Sequence, residues 1–499
     1  MRTGTRLAAL DLGSNSFRLE IGKYEHGQIH RVEYLKETVR QGNGLDENNN
    51  LSLEAMQRGW DCLARFSERL AGFKREHIRA VATQTLREAN NRDIFLAKAH
   101  DILGFPIDVI AGREEARLIY TGVANLLPQN DERRLVVDIG GRSTELILGR
   151  NLEPQTLESF QLGSVTWSMR HFPDNKYSTA LFNRAHTAAM AVLEEALDSY
   201  PRTRWDVALG SSGTIGAIAD ILAAQDGTPG LIQRDALLQL RQRVIKMRTP
   251  SGLDFPTLKD DRRPVLAGGL AVLIAVFETL NIEEMQVAQG ALRQGVLYDL
   301  LKREQPATDL RTITVGRLMD KFGVDHKQAQ RVEETALTLF RQTKPIAGRA
   351  LQRERTERKL RWCARLHEIG MHISHSSYHR HGAYILDNAE APGFALPELH
   401  NLSVIVLGQR GKLRKLELDY DNIGLVTQLM AMRLAVILCH ARRMPKLEGV
   451  TLTRHLNPLS FTLSLPASWE EVLPQSVFLL QQEAEAWTKT PVRLQLELV

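Results

Sequence analysis

The stretch LVVDIGGRSTELILG, residues 135–149, combines an apolar run, a glycine turn and a second apolar run. This pattern predicts a buried strand, a tight loop and a returning strand. Residues 7–22, LAALDLGSNSFRLEIG, repeat the pattern, and a gapless alignment pairs Asp11 with Asp138. A hairpin that recurs in register indicates an internal duplication. We therefore expect two halves that face one another across a cleft.

Both loops have the composition of an anion site. An aspartate that ends an apolar strand, followed by glycine and hydroxyl residues, suits a loop whose backbone N–H groups surround an anion. The turn GSSGT before a predicted helix is a third site of this kind. One glycine–serine turn is usually only a turn, so the prediction depends on the combination. The predicted phosphate-binding residues are Gly13, Ser14, Asn15, Ser16, Gly140, Gly141, Arg142, Ser143, Thr144, Gly210, Ser211, Ser212, Gly213 and Thr214.

The bulk properties are those of an ordinary globular protein. A length of 499 residues predicts about three or four domains. The net charge of +5 is too small to indicate nucleic acid as the main partner. Three cysteines without CxxC spacing argue against disulfides and thiolate zinc sites, and favour a reducing compartment. The most apolar segment, residues 266–280, is shorter than the ~20 residues that span a bilayer, so we expect a cytoplasmic protein.

Strand and helix patterns divide the chain. They alternate over residues 1–125 and again over 126–305, which predicts two α/β domains. The second set includes a predicted strand over SFQLGSV, residues 159–165. From residue 306 to 446 the patterns are helical. Strand patterns return over residues 447–499, where we expect a small α+β module or an extension of the helical domain.

Several motifs occur in a fixed order along the chain: DLGSNS at 11–16, ATQTLRE at 82–88, REEARL at 113–118, DIGGRSTE at 138–145, GSSGT at 210–214, GALRQGVL at 290–297 and HEIGMHISHSSYHRHGAYIL at 367–386. Together they resemble the exopolyphosphatase / guanosine pentaphosphate phosphohydrolase family of the actin–sugar kinase–Hsp70 superfamily. The resemblance covers essentially the whole chain. It implies two actin-like (ribonuclease H-like) domains, then a helical domain like the HD phosphohydrolases, and a homodimer.

Hydrolysis of a terminal phosphoryl group requires a phosphate cradle, a cation and a carboxylate that orients water. The candidate carboxylates are Glu114, Glu115 and Glu145. Glu115 lies in the first turn of a predicted helix, where the dipole favours the ionised form, although acids there often only stabilise the helix. The family resemblance implies Glu115, the second glutamate of EEAR, as the catalytic residue. Glu145 is expected to help hold water or metal.

Asp11 and Asp138 end their strands at the predicted cleft. Carboxylate oxygens suit Mg²⁺, either directly or through its waters. With Glu145, these two aspartates are the predicted metal-binding residues. A monovalent cation such as K⁺ is a further candidate cofactor.

Arginines near the loops are candidate phosphate ligands. Arg142 stands where the family usually has a third glycine, and a positive φ there would strain it. Asn15 occupies the matching position of the first copy, so we expect Arg142 to fit, point into the cleft and contact phosphate. Arg87, in TLRE, matches a family position near the phosphates, and Arg18 and Arg293 are further candidates.

A histidine cluster in the helical region invites a metal interpretation: His367, His372, His375, His379 and His381. An HD site needs an upstream histidine, a His-Asp pair and a distant aspartate. Here the pair is His367-Glu368, and residues 327–366 contain no histidine. We therefore expect an HD-like domain without a functional metal.

Basic residues crowd the same region and include Lys412, Arg414 and Lys415. Such a run is ordinarily a solvated face. A long polyanion would change this interpretation, because a stripe of cations would retain it between cleavages.

The leading hypothesis is a Mg²⁺-dependent, processive exopolyphosphatase that releases orthophosphate from inorganic polyphosphate by direct attack of water. The alternative is a guanosine pentaphosphate (pppGpp) 5′-phosphohydrolase that uses the same cleft and Glu115. A sugar kinase lacks support, because no sugar-binding pattern is apparent. A non-enzymatic regulator is disfavoured by the presence of Glu115 and Glu145. The sequence alone does not separate the first two substrates.

Overall fold

The computed structural model describes residues 2–225, 228–303, 308–343, 350–416 and 418–499. The chain forms two compact units, Met1–Asp309 and Leu310–Val499. The predicted boundary between residues 305 and 306 lies outside the described residues. The predicted limits of the four domains therefore stay predictions.

The first half of the first unit is a five-stranded sheet with helices. Its described strands are β1 (Arg6–Leu12), β2 (Ser16–Glu25), β3 (Gln28–Thr38), β4 (Ile78–Ala82) and β5 (Asp108–Val109). Their spatial order is β3-β2-β1-β4-β5. The helices are α1 (Leu53–Arg69), α2 (Gln84–Glu88), α3 (Arg92–Leu103) and α4 (Gly112–Ala124).

The second half repeats this plan with six strands in the order β10-β11-β9-β6-β7-β8. The strands are β6 (Arg133–Ile139), β7 (Thr144–Arg150), β8 (Glu153–Phe160), β9 (Val207–Ser211), β10 (Leu231–Gln233) and β11 (Glu284–Val287). The helices are α5 (Ser164–His171), α6 (Thr179–Leu193), α7 (Ser212–Ala223), α8 (Arg234–Met247), α9 (Leu266–Thr279) and α10 (Leu292–Arg303).

The two hairpins that the sequence predicts have the same register. Asp11 pairs with Arg18 across β1 and β2, and Asp138 pairs with Glu145 across β6 and β7. In each half one further strand, β4 or β9, adds parallel to the first strand of the hairpin. Each aspartate therefore lies near the carboxyl end of a central strand, directly before its glycine loop.

Helices α4 and α10 cross backbone against backbone. A Cβ atom added to Gly295 of α10 would lie 1.7 Å from the carbonyl oxygen of Leu118 in α4. A Cβ added to Gly122 of α4 would lie 2.1 Å from the carbonyl oxygen of Ala291. No side chain fits between the helices at these points, so glycine is required there.

Buried charges fix the same crossing. Asp299 of α10 accepts hydrogen bonds of 2.7 Å from Arg79 of β4 and from Arg117 of α4. Arg117 also donates two bonds of 2.8 Å to Glu114. Burial alone raises the pKa of Asp299, but Arg117 and Arg79 hold it well below its usual range. The carboxylate therefore stays ionised and joins β4, α4 and α10.

Helix α9, the most apolar segment, is buried from Leu266 to Phe277 in the core of the second half, as the sequence predicts. None of the helices in the described parts of the chain is both long and apolar enough to cross a bilayer.

One predicted strand is wrong. The sequence predicts a strand over SFQLGSV, residues 159–165, whereas β8 ends at Phe160 and α5 begins at Ser164. The cause is tertiary, because the backbone N–H and the hydroxyl of Ser164 both donate to the carbonyl of Gly140, at 3.0 and 3.1 Å. A Cβ on Gly163 would lie 2.2 Å from the Cα of Arg142. The backbone therefore leaves the sheet after Phe160 and packs against the loop at residues 140–144.

The second unit is helical at first and ends in a small sheet. Its described elements are α11 (Leu310–Lys321), α12 (His326–Gln342), α13 (Ala350–Leu366), α14 (Tyr378–Asn388), α15 (Leu396–Gly408), α16 (Ile423–Leu438), β12 (Thr451–Leu456), β13 (Leu459–Leu465), α17 (Trp469–Val472), α18 (Pro474–Trp487) and β14 (Arg493–Leu498). Phe461 and Trp487 share one core with Val332 and Leu434 of the helices. The predicted likeness to HD phosphohydrolases stays a prediction.

Replacing Gly295 with alanine should destabilise the first unit by about 3 kcal/mol, because the new methyl group would overlap the backbone of α4. The control is Gly216→Ala in α7, where a Cβ meets nothing within 4 Å. That change should raise stability by up to about 1 kcal/mol, the helix propensity gain of alanine. Thermal unfolding followed by circular dichroism measures both. Equal midpoints for the two variants would contradict the close crossing.

Candidate active site

The two glycine loops, residues 13–16 and 140–144, meet at one cavity of about 90 Å³ in the first unit. In each loop the leading glycine lies against the carbonyl oxygen three residues on. A Cβ on Gly13 would lie 3.1 Å from that oxygen of Ser16, and a Cβ on Gly140 would lie 3.2 Å from that of Ser143. A Cβ on Gly141 would lie 3.3 Å from Cβ of Ser14. The duplicated loops thus have the same local geometry and face one another.

Most of the residues singled out from the sequence line this cavity. These are Asp11, Gly13, Ser14, Asn15, Ser16, Arg18, Glu115, Asp138, Gly140, Gly141, Arg142, Ser143, Ser212, Gly213, Thr214 and Arg293.

The other predicted site residues of the first unit do not line the cavity: Arg87, Thr144, Glu145, Gly210 and Ser211. Two of them support the loops from behind. The hydroxyl of Thr144 donates to the carbonyl of Leu162, and that of Ser211 donates to the carbonyl of Gly290 at 3.0 Å.

The third predicted loop forms the N-terminus of α7. Ser212 has φ of 93°, in the left-handed region that favours glycine, and such strain is concentrated at functional sites. Its hydroxyl accepts hydrogen bonds from the N–H groups of Thr214 and Ile215, at 3.2 and 3.3 Å. A Cβ on Gly213 would lie 2.2 Å from Nη2 of Arg262. The helix N-terminus and this guanidinium therefore adjoin one another at the cavity.

Glu115, in the first turn of α4, is a buried carboxylate at the cavity. Burial raises its pKa to about 7, although Arg87 opposes the shift, and Asp11 and Asp138 add to it. Nη1 of Arg87 lies 3.5 Å from Oε2 of Glu115 and donates to the carbonyl of Ile110 at 2.7 Å. A carboxyl group that titrates near neutral pH suits a base that accepts a proton from water.

Asp138 and Glu145 are buried beside each other in the β6–β7 hairpin. Burial raises the pKa of Asp138 to about 6, while the hydroxyl of Ser211 opposes the shift. Burial, followed by Glu115 and Asp138, raises the pKa of Glu145 well above its ordinary value. Ser159 donates to Glu145 at 2.8 Å. The site therefore concentrates acids that would repel one another if all were ionised.

Arginines offset part of this negative charge. Nη1 atoms of Arg18 and Arg293 each lie 3.3 Å from Oδ2 of Asp11, and Arg293 also binds Glu20 at 3.2 Å. Nε of Arg18 is buried and has no hydrogen-bond partner among the described residues. Within the described parts of the chain, the side chain of Arg262 makes no hydrogen bond or ion pair, and Nε of Arg142 is buried without a partner. Three guanidinium groups at the cavity thus retain unused donors.

Sequence reasoning missed three polar residues that line the cavity: Thr83, Ser164 and Arg262. Thr83 directly follows strand β4 inside the motif ATQTLRE, and this position at a strand end is a pattern that predicts a site residue. The sequence predicts Ser164 in a strand, whereas β8 ends at Phe160 and Ser164 begins α5. Arg262 lies in a loop without a motif, and only the fold brings it to Gly213.

Arg142 lines the cavity as expected, and it is not among the residues with positive φ. Its guanidinium, however, is bonded to Glu88 and to the carbonyl of Gly42. Nε of the same guanidinium is buried and has no hydrogen-bond partner among the described residues, and a contact of Arg142 with phosphate stays a prediction.

The three acids predicted to bind metal do not form a compact cluster. Over the described ranges, no group of three or more His, Cys, Asp or Glu side chains converges to hold a metal ion. Mg²⁺ usually takes one or two carboxylates, several waters and the phosphates of the substrate. Asp138, buried with a raised pKa, and Asp11 fit this second arrangement. The donor set therefore fits Mg²⁺ shared with a phosphate better than a three-carboxylate site.

In the second unit, His367 is buried and its Nδ1 lies 2.7 Å from the carbonyl oxygen of Ala364. Burial lowers its pKa, which is typical of a neutral core histidine. Lys412, Arg414 and Lys415 are exposed at the short turn Leu413–Lys415. Their role in retaining a polyanion stays a prediction.

Comparison with known proteins now adds the family. A model of the Ppx/GppA phosphatase family matches residues 21–304, and a model of domain III of this family matches residues 310–484. This chain belongs to the Ppx/GppA phosphatase family. It is accordingly an enzyme that hydrolyses phosphoanhydride bonds, with the actin-like fold in two domains followed by a C-terminal domain III.

Two curated relatives are named guanosine-5′-triphosphate,3′-diphosphate pyrophosphatase. The protein of Pseudoalteromonas translucida is 40% identical over 97% of this chain and 96% of its own length. That of Vibrio cholerae is 40% identical over 98% of each chain. The crystal structure of an exopolyphosphatase from Cytophaga hutchinsonii is 25% identical, covers 60% of this chain and 98% of that chain, and has a TM-score of 0.54.

Replacing Glu115 with glutamine should stabilise the metal-free protein by about 2–3 kcal/mol at pH 8 and little at pH 4.5. The folded pKa of about 7 exceeds the ordinary value of 4.5, so the folded state binds the proton more tightly. Stability contributed by this group is therefore lost as the pH rises between these values. Thermal midpoints in EDTA measure the effect.

The control has the opposite sign. Arg65 lowers the pKa of Glu37, so Glu37→Gln should lower the midpoint at pH 8. An equal change at both pH values for Glu115→Gln would show that its carboxyl group does not titrate abnormally.

Proposed function

We propose that this chain is a guanosine pentaphosphate (pppGpp) 5′-phosphohydrolase. The observation that carries the proposal is the 40% identity, over nearly the whole chain, with proteins named for that substrate. It reverses the order of the two hypotheses drawn from the sequence. The site geometry supports it, because Arg18 and Arg262 keep unused donors beside the loops. A nucleotide with phosphates at both the 5′ and the 3′ position would use the loops and these arginines together.

In the proposed reaction, backbone N–H groups of the loops at 13–16 and 140–144 hold the oxygens of the terminal 5′ phosphate. Glu115 orients a water molecule and accepts its proton as the water oxygen forms a bond to phosphorus. The bond from phosphorus to the bridging oxygen breaks. The products are orthophosphate and the nucleotide shortened by one phosphate.

Positive charge close to Glu115 would convert its carboxyl group into the ionised form that a base requires. Its raised pKa reflects burial beside other acids, and positive charge nearby favours the ionised form. Arg87 already supplies part of this charge from 3.5 Å. Mg²⁺ held by Asp138 and Asp11 would, when bound, neutralise charge on the phosphate oxygens. A monovalent cation stays a prediction.

An exopolyphosphatase is the second candidate, and specific observations favour it. A solved structure with 25% identity carries that name, and the second unit exposes Lys412, Arg414 and Lys415. Both candidate activities use the same cleft and the same Glu115. They differ only in what the rest of the substrate contacts.

Location and assembly are proposals as well. Cys62, Cys363 and Cys439 are buried and free, which suits a reducing cytoplasm. The homodimer implied by the family resemblance stays a prediction.

The purified protein should release orthophosphate from pppGpp with a kcat/KM at least about tenfold higher than from long-chain polyphosphate. A colorimetric phosphate assay at fixed Mg²⁺ measures both. Glu115→Gln is the chemical control and should lower kcat by about 10²–10⁴-fold on either substrate, because the water loses its base. A higher kcat/KM for polyphosphate would establish the second candidate instead.

Arg262→Ala should lower kcat/KM for pppGpp by about tenfold, because a charge-assisted contact to the 3′-diphosphate is lost. The same change should have little effect on GTP, which lacks the 3′-diphosphate. Arg150→Ala is the matched control, since Arg150 lies away from the cavity and pairs with the exposed Asp131. Equal losses on pppGpp and GTP would show that Arg262 does not discriminate between them.

A further inference from the structure

Arg142 links the second phosphate loop to the opposite half of the first unit. Its Nη2 donates to Oε2 of Glu88 at 2.8 Å, and its Nη1 donates to the carbonyl of Gly42 at 3.3 Å. Glu88 is held in turn by Gln84, whose amide donates to Oε1 of Glu88 at 2.7 Å. This chain of bonds crosses from residues 140–144 to α2 and to the segment around Gly42.

The acceptor at Gly42 belongs structurally to the first phosphate loop. The N–H of Gly42 donates to the carbonyl of Ser14 at 2.8 Å. A Cβ on Gly42 would lie 3.1 Å from Cβ of Ser14 and 3.2 Å from Oγ1 of Thr85. A side chain at position 42 would thus be tightly crowded where this segment rests on the loop. Through Gly42, the guanidinium of Arg142 is tied to the first loop as well as to Glu88.

The pairing is more than a surface contact. The side chains of Arg142 and Glu88 are only 18% and 22% exposed. A hydrogen-bonded ion pair at that depth is worth more than the fraction of a kcal/mol typical of exposed pairs. The backbone of Arg142 is also fixed, since it packs against Gly163. Both ends of the contact are therefore anchored on elements that carry the cavity.

Another ion pair between the two halves lies beside the cavity. Nζ of Lys36, in β3, lies 2.7 Å from Oδ2 of Asp261 in the second half. Asp261 precedes Arg262, which lines the cavity. Charged pairs thus connect the halves beside the second loop and beside Arg262, whereas the loops themselves meet through small residues.

We propose that Arg142 is a positioning residue, which acts through Glu88 and Gly42 to hold the two phosphate loops at the separation that binds one phosphoryl group. The proposal rests on the phosphatase site, but it does not depend on which of the two substrates that site takes. It gives Arg142 a role other than the phosphate contact that the sequence predicts.

The two roles of Arg142 have opposite kinetic consequences. If the bonds from Arg142 to Glu88 and Gly42 hold the protein in the state that binds phosphate, losing them reduces the fraction of protein in that state. The apparent dissociation constant then rises. If Arg142 is instead a phosphate ligand that Glu88 sequesters, removing the charge of Glu88 frees the guanidinium and lowers KM. Glu88→Gln separates these cases, because it keeps the shape of the side chain and removes only the charge.

We expect Glu88→Gln and Arg142→Ala each to raise KM for pppGpp by about threefold to tenfold, with a smaller change in kcat. The double variant should be no worse than the poorer single variant, because both remove one shared contact. Glu37→Gln is the matched control, since it breaks an Arg–Glu pair that lies within the first half. An unchanged or lower KM for Glu88→Gln would overturn the proposal.

Hydrogen–deuterium exchange on the substrate-free full chain gives an independent readout. Backbone amides of residues 41–44 and 140–144 should exchange faster in Glu88→Gln and Arg142→Ala than in the wild type, at similar thermal midpoints. The reversed pair, Glu88→Arg with Arg142→Glu, should restore part of the protection. Unchanged exchange in both single variants would overturn the proposal.

The exchange experiment uses no substrate, so its outcome is independent of the proposed function. Faster exchange without pppGpp hydrolysis would reject pppGpp as the substrate and support the positioning role of Arg142. Hydrolysis of pppGpp with unchanged exchange would support the substrate and reject the positioning role. If Arg142→Ala fails to fold, Arg142→Lys replaces it, because lysine retains the charge but not the two-pronged geometry.

Discussion

The crossing of α4 and α10 sets the position of Glu115. Gly295 lets the two backbones touch, and Asp299 locks their rotation through Arg117 and Arg79. Glu114 is held within this network. Its neighbour Glu115 is turned by about 100° around the helix, as the helical repeat requires, and lines the cavity. Two neighbouring glutamates thus have different surroundings, one bonded within the buried network and the other at the cavity.

The cavity combines two unfavourable sets of charges. Burial, with a further contribution from neighbouring acids, raises the pKa of Glu115, Asp138 and Glu145. Arginines with unused donors face them across a small space. A phosphate group with Mg²⁺ would satisfy both sets at once, because the phosphate pairs with the arginines and the cation pairs with the acids. The site is therefore organised for a charged ligand.

Under the proposed function, discrimination between the two candidate substrates would depend on contacts outside the loops. In the proposed reaction the loops and Glu115 contact only the terminal phosphoryl group and its water, so they would not distinguish a nucleotide from a polymer. Arg18 and Arg262 belong to opposite halves of the first unit, so their spacing depends on how the halves close. The bond from Arg142 to Glu88 is one determinant of that closure. Substrate choice and loop separation are in this way physically connected.

The sequence by itself determined what local patterns encode. The alternation of apolar residues gave the duplicated hairpins, glycine and hydroxyl residues marked the loops, and the helix start singled out Glu115 with the help of the family resemblance. Each depends on residues close together in the chain. Most of the predicted loop residues do line one cavity.

Only the tertiary structure decided the partners of Arg142, the place of Arg262 and the start of α5 at Ser164. These features depend on contacts between residues that are far apart in the chain. A local pattern shows that an arginine is present, but not whether a carboxylate from another element already occupies it. The packing of the two halves supplies that partner and so determines whether the charge is left for substrate.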